Sequence, residues 1–277
     1  MDSITGNRFN LKLGQVMITK EAAYICLMQK KVQFQDLGQR SYKDVWDYQE
    51  MLLKENVQKK ALDETRGDTV NHLLFVEHNP VYTLGKSGHE ENVLINNAQM
   101  EEKGIEYFHI NRGGDITFHG PQQLVGYPIL DLDKFKTDLG WYLRGLEEMI
   151  ILTMAEYGLK GDRSKGETGV WLDPNIEGKE RKICAMGIKC SRWVTMHGFA
   201  FNVNTDLGYF DYIVPCGIQN KQVTSLEKEL GHKVDFEQVK EKVSRNFEKV
   251  FEAKLGTKEL LDNLELIGAL SLQPLPH

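Results

Sequence analysis

The chain of 277 residues has no long apolar run and no excess of positive charge. A membrane-spanning helix needs about 20 consecutive apolar residues, and no stretch approaches that length. The partly apolar segment of residues 16–28 contains Lys20 and Glu21, which rules against a secretory signal. The formal net charge is −6, whereas nucleic-acid binding needs a basic surface. These absences argue against membrane and nucleic-acid partners. A length of 277 residues allows one large domain with a sizeable core, or one domain plus extensions.

Closely spaced cysteine pairs are also missing. The four cysteines, Cys26, Cys184, Cys190 and Cys216, show no C-x-x-C spacing. Zinc sites and dithiol redox sites are usually built on such pairs, so the sequence predicts neither. A chain of this length does not need disulfides, and we expect reduced thiols in a cytoplasmic protein. Cys184 and Cys190 lie on one face of a predicted strand together with apolar residues, and both are assigned to packing.

Hydrophobic periodicity predicts helices and strands from residue 41 onward, whereas residues 1–30 are weakly patterned. The predicted elements are a helix capped by Ser41, strands over residues 72–78 and 81–85, a helix over 139–157 stopped by Gly158, a short strand over 169–172, a hairpin over 182–190 and 194–203, and a helix over 236–251 capped by Asp235. Beyond Gly256 we expect a short amphipathic piece and a loose tail.

Residues able to bind a ligand or take part in a reaction are most concentrated in the segment 111–131, whose sequence is NRGGDITFHGPQQLVGYPILD. Gly113 and Gly114 permit a positive φ or a close approach of a bound group to the backbone. Arg112 offers planar donors to a carbonyl, carboxylate or phosphate. Thr117 and His119 would face the same side of an extended segment. A glycine-rich turn before a buried strand would not require these polar side chains, so the pattern favours a binding site.

This stretch resembles the Arg-Gly-Gly-x-x-Thr-(Phe/Tyr)-His-Gly-Pro-Gly-Gln motif of the lipoate-biosynthesis octanoyltransferases, which are related to the lipoate and biotin protein ligases. A second block, EHNPVYTLG at residues 77–85, is similar to the family pattern Glu-His-x-Pro-x-Tyr-Thr-x-Gly. Within it, His78 is predicted to be a hydrogen-bonded structural residue. Gln122 departs from the motif, because the family usually has glycine there and a positive φ would suit glutamine poorly.

The resemblance covers roughly residues 31–254 in four ordered blocks. It implies an α/β (α+β) fold, a single domain with a central mixed β-sheet flanked by helices, as in the biotin and lipoate protein ligases. The chain is therefore divided into an N-terminal extension (residues 1–30), a catalytic domain (31–255) and a C-terminal tail (256–277).

The family's acyl-bearing cysteine corresponds to Cys216, in VPCGI at residues 214–218, which we place at the end of a short predicted strand. A thiol has a reference pKa of about 8.5 and needs a positive neighbour to ionise at neutral pH. Lys182 matches the family lysine that pairs with this cysteine. Five basic residues lie close together in this segment: Lys179, Arg181, Lys182, Lys189 and Arg192. Glu180 is the one acidic residue among them in the sequence, so we expect a local positive field that would attract acidic carrier domains.

By the same resemblance, three segments would line an acyl pocket. They are Arg112, Gly113, Gly114, Asp115, Ile116, Thr117, Phe118 and His119; Ala185, Met186 and Gly187; and Gly198, Phe199 and Ala200. N–H groups near Gly113, Gly187 or Gly198 are the candidates for an oxyanion hole, and the sequence does not choose among them.

The implied reaction transfers an octanoyl group from octanoyl-acyl carrier protein to a lysine of lipoyl domains, through a thioester on Cys216. The acceptors would be the lipoyl domains of 2-oxoacid dehydrogenases and the glycine cleavage H protein. Exchange of one thioester for another is nearly neutral and conversion of a thioester to an amide is downhill, so no ATP or other cofactor is expected.

Three other functions stay open. An ATP-dependent lipoate or octanoate ligase shares the fold and the Arg-Gly-Gly block, but it needs no nucleophilic cysteine. A cysteine thioesterase would use water in place of the acceptor lysine. A non-catalytic protein that binds acylated carrier proteins or lipoyl domains would have an unreactive Cys216 thiol.

Overall fold

A computed structural model describes residues 11–13, 16–18, 30–214 and 222–262. The strands are β1 (Leu11–Leu13), β2 (Val16–Ile18), β3 (Lys30–Arg40), β4 (His72–His78), β5 (Val81–Leu84), β6 (Glu106–His109), β7 (Ile116–His119), β8 (Gln123–Ile129), β9 (Val170–Leu172), β10 (Arg181–Ser191), β11 (Val194–Asn202), β12 (Gln222–Val223) and β13 (Ala253–Gly256). The α-helices with both ends described are α1 (Tyr42–Ala61), α2 (Asn97–Glu102), α3 (Leu139–Ala155), α4 (Leu226–Leu230) and α5 (Phe236–Phe251). None of the helices in the described ranges is long and apolar enough to cross a membrane.

The larger sheet is mixed. Its strand order is β12-β10-β11-β8-β4-β3-β13, and β9 also pairs with β10. The pairs β3–β4, β3–β13 and β10–β12 are parallel, and the other pairs in this sheet are antiparallel. In a smaller sheet, β5 lies between β6 and β7. The predicted central mixed sheet is confirmed.

Helices cover both faces of the larger sheet because its strands are apolar on both sides. On β4, Leu73 and Phe75 belong to a core cluster shared with α3 and α5, whereas Leu74 and Val76 pack with α1 on the opposite face. This alternation follows from the two-residue period of a strand. The strand is buried on both faces, so it reads in the sequence as a continuous apolar run.

The predicted helix caps are confirmed. The Ser41 hydroxyl accepts a hydrogen bond from the Asp44 N–H, and the Asp235 carboxylate accepts from two N–H groups in the first turn of α5. Helix α3 ends at Ala155, two residues before the predicted end, and the following turn reaches Gly158 with a φ of +75°. The predicted β10–β11 hairpin is present, and both residues of its turn have positive φ, as type I′ turns require.

Two elements differ from the sequence prediction. Strand β3 was not predicted, because Val32 is its only fully buried residue and its polar side chains hide the period of a strand. Residues Leu207–Tyr212 form a 3-10 helix where a short strand was predicted before Cys216. Phe210 is buried from that helix against the smaller sheet, and up to residue 214, where the description stops, the strand-like pairing of this stretch is one bridge between Ile213 and Val93.

Candidate active site

A cavity of about 230 Å³ lies between the two sheets. Strands β7, β8, β10 and β11 supply most of its wall, and the loop before β9 supplies another part. The residues predicted for the acyl pocket that line it are Arg112, Gly114, Asp115, Ile116, Thr117, His119, Ala185, Met186, Gly187, Gly198, Phe199 and Ala200, and Lys182 lies on the same wall. The lining also contains residues that were not predicted, among them Tyr42, Gln123, Tyr127, Glu167, His197 and Asn202.

Two residues predicted for the wall lie elsewhere. Phe118 alternates with Thr117 and His119 on β7, so its ring points to the opposite face, where it stacks on Tyr209 with ring centroids 4.6 Å apart. Gly113 lies outside the lining because its N–H is bonded to the edge of β10: it donates to the Ile188 carbonyl at 2.9 Å. That N–H is therefore already engaged, which argues against it as the oxyanion donor.

The Arg-Gly-Gly segment is fitted closely against β10. A Cβ at Gly187 would lie 2.7 Å from the Gly113 carbonyl oxygen, so only glycine permits this approach. Arg112 is buried beside it, and its Nη2 donates to the carbonyl and hydroxyl oxygens of Thr83 at 2.6 and 3.0 Å. These bonds fix the guanidinium in the wall of the cavity.

His119 belongs to a buried chain of hydrogen bonds. Its Nδ1 lies 2.9 Å from Gln123 Oε1, and Gln123 Nε2 donates to Asn202 Oδ1, also at 2.9 Å. Asn202 Nδ2 donates to the Thr224 carbonyl. Because Gln123 Oε1 can only accept, Nδ1 carries the proton of the imidazole. Burial, followed by the neighbouring His78, holds the pKa of His119 well below its usual value, so the ring is neutral.

His197 is a lining residue that the sequence analysis missed. It follows three apolar or hydroxyl residues on a buried strand, so the strand pattern does not single it out, although it directly precedes Gly198 of the third predicted segment. Its φ is +61°, and its Nε2 lies 3.0 Å from Asn111 Oδ1. Burial, then the charge of Arg112, lowers the pKa of His197 to about 3. This ring is therefore also neutral.

The structural assignment of His78 is confirmed. Its Nδ1 lies 3.1 Å from the Arg40 carbonyl oxygen, and its Nε2 lies 2.8 Å from the Tyr127 hydroxyl. Burial lowers the pKa of His78 to about 4. The side chain thus joins β4 to β8 without lining the cavity.

Lys182 lies at the other end of the cavity from Arg112. Gly187, five residues after Lys182 on β10, contacts Arg112. Five residues of extended strand span about 16 Å, so Lys182 and the Arg112 contact are that far apart along β10. The Lys182 ammonium is 4.5 Å from the centroid of the Trp171 ring and 3.7 Å from Glu167 Oε2. Both side chains of this ion pair are largely buried, at 13% and 17% exposure. No sequence pattern singles out Glu167, because only the fold brings its loop to β10.

Cys216 lies outside the described residues, which stop at residue 214 and resume at residue 222. Both flanks are anchored close to the cavity. The Val214 N–H donates to the Asn92 carbonyl at 2.8 Å. On the other side, Val223 is the β-sheet partner of Lys182, and the Thr224 N–H donates to the Lys182 carbonyl at 3.0 Å. The chain therefore leaves this segment directly beside Lys182.

The predicted positive field around Lys182 is largely neutralised. Arg181 forms ion pairs with Glu229 and Asp173, and Lys189 pairs with Glu50 at 2.8 Å. The acidic partners are distant in sequence, so the count of local charges did not include them. Arg181 and Lys189 therefore form ion pairs within the protein, and this segment presents less uncompensated positive charge than predicted.

The two described cysteines are free thiols. Cys184 is fully buried in the core cluster beside α3, and burial raises its pKa, which confirms its assignment to packing. Cys190 is half-buried near the hairpin turn. Over residues 30–214 and 222–262, no cluster of three or more His, Cys, Asp or Glu side chains is arranged to hold a metal ion.

Comparison with known proteins matches residues 41–248 to the family model of the lipoyl protein ligase A/B catalytic domain. The chain is 59% identical to the octanoyltransferase of Flavobacterium johnsoniae, over 82% of this chain and 100% of that protein. It is 57% identical to the octanoyltransferase of Christiangramia forsetii, over 82% and 99% of the two chains. Among solved structures, lipoate-protein ligase A bound with ATP has the same fold, with a TM-score of 0.59 and 15% identity over 86% of this chain and 93% of that one. The predicted ligase-like fold is thereby confirmed, and the chain belongs to the octanoyltransferases of the lipoyl protein ligase A/B catalytic-domain family.

Proposed function

We propose that the protein is an acyltransferase of lipoate biosynthesis, which transfers an octanoyl group from octanoyl-acyl carrier protein to the acceptor lysine of lipoyl domains. Membership in the octanoyltransferase family supports this activity. The observation that carries the mechanism is the position of Lys182, at one end of the cavity and paired with the strand that follows the Cys216 segment. The reaction takes place in the cytoplasm and needs no cofactor.

In the first step, the Cys216 thiolate attacks the thioester carbonyl of the donor. The Lys182 ammonium stabilises the thiolate by its charge. The new carbon–sulfur bond to Cys216 forms as the bond to the carrier breaks, and the departing carrier thiolate takes a proton from Lys182. The products are free carrier thiol, octanoyl-Cys216 and a neutral Lys182 amine.

In the second step, the amine of the acceptor lysine attacks octanoyl-Cys216. A carbon–nitrogen bond forms, the bond to the Cys216 sulfur breaks, and Lys182 takes a proton that the attacking nitrogen loses. The Cys216 thiolate and the Lys182 ammonium are restored. Covalent catalysis of this kind divides one transfer between two large carriers into two separate encounters.

The cavity provides an apolar surface for the acyl chain. Its lining includes the apolar residues Ile116, Met186, Phe199 and Ala200. Burial of each methylene group contributes about 0.8 kcal/mol, so an eight-carbon chain is bound well. Discrimination between chains that differ by one carbon is correspondingly modest.

The test is direct observation of the acyl-enzyme. The protein is mixed with octanoyl-acyl carrier protein and weighed by intact mass spectrometry, and an octanoyl adduct on Cys216 is expected. Cys216→Ser should abolish both the adduct and the transfer, whereas Cys190→Ser, which removes a thiol outside the cavity, should retain both. Normal transfer by Cys216→Ser would reject covalent catalysis through this residue.

Two further arms separate the alternative functions. Modification of a lipoyl domain from free octanoate and ATP would identify a ligase. Release of octanoate without a lipoyl domain, at the rate of transfer, would identify a thioesterase.

A further inference from the structure

The loop of residues 163–169, which precedes β9, forms part of the cavity wall. Three of its residues line the cavity: Gly166, Glu167 and Thr168. Backbone pairing closes the loop at its base, because the Asp162 N–H donates to the Trp171 carbonyl at 2.8 Å and the Trp171 N–H donates to the Asp162 carbonyl at 2.9 Å. Residues 163–168 are polar or glycine, so burial of apolar side chains does not order the loop itself.

Glu147 of α3 binds both ends of this loop with one carboxylate. The side chain is fully buried, and its Oε2 accepts a hydrogen bond at 3.0 Å from Nε of Arg163, the first residue of the loop. Its Oε1 accepts a hydrogen bond at 3.1 Å from the N–H of Gly169, the last residue of the loop. A second guanidinium, that of Arg144, donates to Oε2 at 2.5 Å. The carboxylate therefore joins the loop to α3 at two points, and arginines compensate its charge.

The end of the loop lies directly on β10. Gly169 has a φ of +108°, and a Cβ there would lie 2.4 Å from the Cys184 carbonyl oxygen, so this close approach requires glycine. The Thr168 hydroxyl donates to the Met186 carbonyl at 3.3 Å, and Met186 itself lines the cavity. A shift of the Gly169 N–H away from Glu147 would therefore also move Thr168 and change the wall of the cavity.

We propose that Glu147 is a positioning residue for acyl binding, which holds the 163–169 loop in the wall of the cavity before the acyl chain enters. This inference rests on the proposed function. Leu146 and Ile150 of the same helix belong to the apolar core, and an apolar side chain at position 147 would avoid the cost of burying a charge. A carboxylate there does what an apolar side chain cannot, because it binds the backbone and the guanidinium of a polar loop.

A loop that is ordered in advance affects acyl binding in two ways. The acyl chain does not have to order the wall when it binds, so less of its binding free energy is lost to conformational entropy. A fixed wall also excludes chains that fit only if the loop moves. Loss of the Glu147 carboxylate should therefore weaken binding of the octanoyl donor and reduce the preference for octanoyl over longer chains, and the effect on kcat should be smaller than the effect on KM.

The experiment measures transfer from octanoyl- and dodecanoyl-acyl carrier protein in Glu147→Gln, which keeps the shape of the side chain and removes its charge. The KM for the octanoyl donor should rise about tenfold, the effect of one lost charge-assisted hydrogen bond, and kcat should change by less than about threefold. The ratio of kcat/KM for dodecanoyl to that for octanoyl should rise at least about threefold. The matched control is Glu156→Gln. Glu156 follows α3, binds Lys242 and Asn246 of α5 and lies outside the cavity lining, so this variant should keep the wild-type KM and ratio.

A second variant keeps the test independent of the folding of Glu147→Gln. Arg163→Gln, at a partly exposed residue, removes one of the two contacts between Glu147 and the loop, and it should change KM and the chain-length ratio in the same direction. An unchanged KM or an unchanged ratio in the folded variants would overturn the inference. Equal changes in Glu156→Gln would show that they follow from the stability of α3 and would overturn it as well. Failure of the wild-type protein to transfer octanoate would instead reject the proposed function.

Discussion

The two ends of the cavity differ in how they use charge. At the Lys182 end, the ammonium lies over the Trp171 ring and beside the Glu167 carboxylate. Lys182 belongs to β10, and the neighbouring strand β12 follows the Cys216 segment in the chain. At the Arg112 end, buried imidazoles are neutral and each has a hydrogen-bond partner on another element. The first end therefore carries an ion pair, whereas the imidazoles of the second end are uncharged.

This difference indicates that the two ends of the cavity have different functions, one in the reaction and one in stability. In the proposed mechanism Lys182 carries out the proton transfers, so they are confined to the end beside which the chain continues after the Cys216 segment. The polar groups at the opposite end hold the shape of the cavity, because each joins its own strand or loop to another: Arg112 to Thr83, His119 to Gln123 and His197 to Asn111. Substitutions at the first end should therefore change rate, and substitutions at the second should change stability.

The largest effect is expected from Lys182→Met. Loss of the ammonium should slow formation of octanoyl-Cys216 by about 10²- to 10⁴-fold, the range for a lost acid–base group. The pKa of the Cys216 thiol should rise, so its alkylation by iodoacetamide should shift to higher pH. Lys179→Met, on the same segment but outside the cavity, serves as the control. An unchanged pH profile for alkylation in Lys182→Met would remove the basis for the proposed ion pair.

A medium effect is expected just outside the cavity, where His78 is bonded to the lining residue Tyr127, on stability as a function of pH. His78 has a pKa of about 4 in the folded protein and about 6.5 when unfolded, so the unfolded state binds more protons between these values. The free energy of unfolding should therefore decrease as the pH falls below about 6.5 and level off near the folded pKa, with His78 contributing roughly 3 kcal/mol of the decrease.

The variant His78→Gln tests that assignment by removing the titrating group while keeping a hydrogen-bonding side chain. Chemical denaturation at several pH values should give a smaller decrease for this variant than for wild type. His89→Gln, at an exposed histidine, should retain the full decrease. If the curves for His78→Gln and wild type are parallel, the buried imidazole does not remain neutral in the folded state.

The smallest effect is expected from Gln122→Gly, at the one position where the central motif departs from its family. Gln122 has a φ of +59°, which favours glycine by about 1 kcal/mol. Its side-chain oxygen, however, accepts a hydrogen bond from Asn204 Nδ2 at 2.9 Å, and such a bond contributes about 1 kcal/mol. The two terms nearly cancel, so the free energy of unfolding should change by less than about 1 kcal/mol. A larger change in denaturation would show that one of the two dominates.

The sequence anticipated Gln122 only in part. The conflict between glutamine and a positive φ followed from the motif alone, and the φ is indeed positive. What offsets the strain comes from two distant parts of the chain, β4 and the loop after β11: the Gln122 N–H donates to Glu77, its carbonyl accepts from Thr205, and its side chain binds Asn204. None of these partners is near Gln122 in sequence, so the compensation was not readable from the motif.

Strand β3 and residue Phe118 are two further cases in which the sequence pattern alone does not predict the structure. Strand β3 has few apolar side chains, so its period gives no signal, and its place between β4 and β13 depends on backbone pairing. Phe118 carries a strong motif signal, but the alternation of β7 turns its ring towards Tyr209 and away from the cavity. A motif identifies a segment, whereas the strand's pleat decides which of its residues face the site.

The motifs that resemble those of the octanoyltransferases identified the segments that build the cavity, and local residue chemistry determined the helix caps at Ser41 and Asp235 and the burial of the apolar runs. Each of these features depends on groups within a few residues of one another along the chain, where the backbone geometry determines which groups can contact each other. The tertiary structure alone decided that Glu167 lies against Lys182, that Glu229 and Asp173 neutralise Arg181, and that His197 enters the wall. Electrostatic interactions act over distances in space and not along the chain, so they exist only after strands and loops distant in sequence have been packed together.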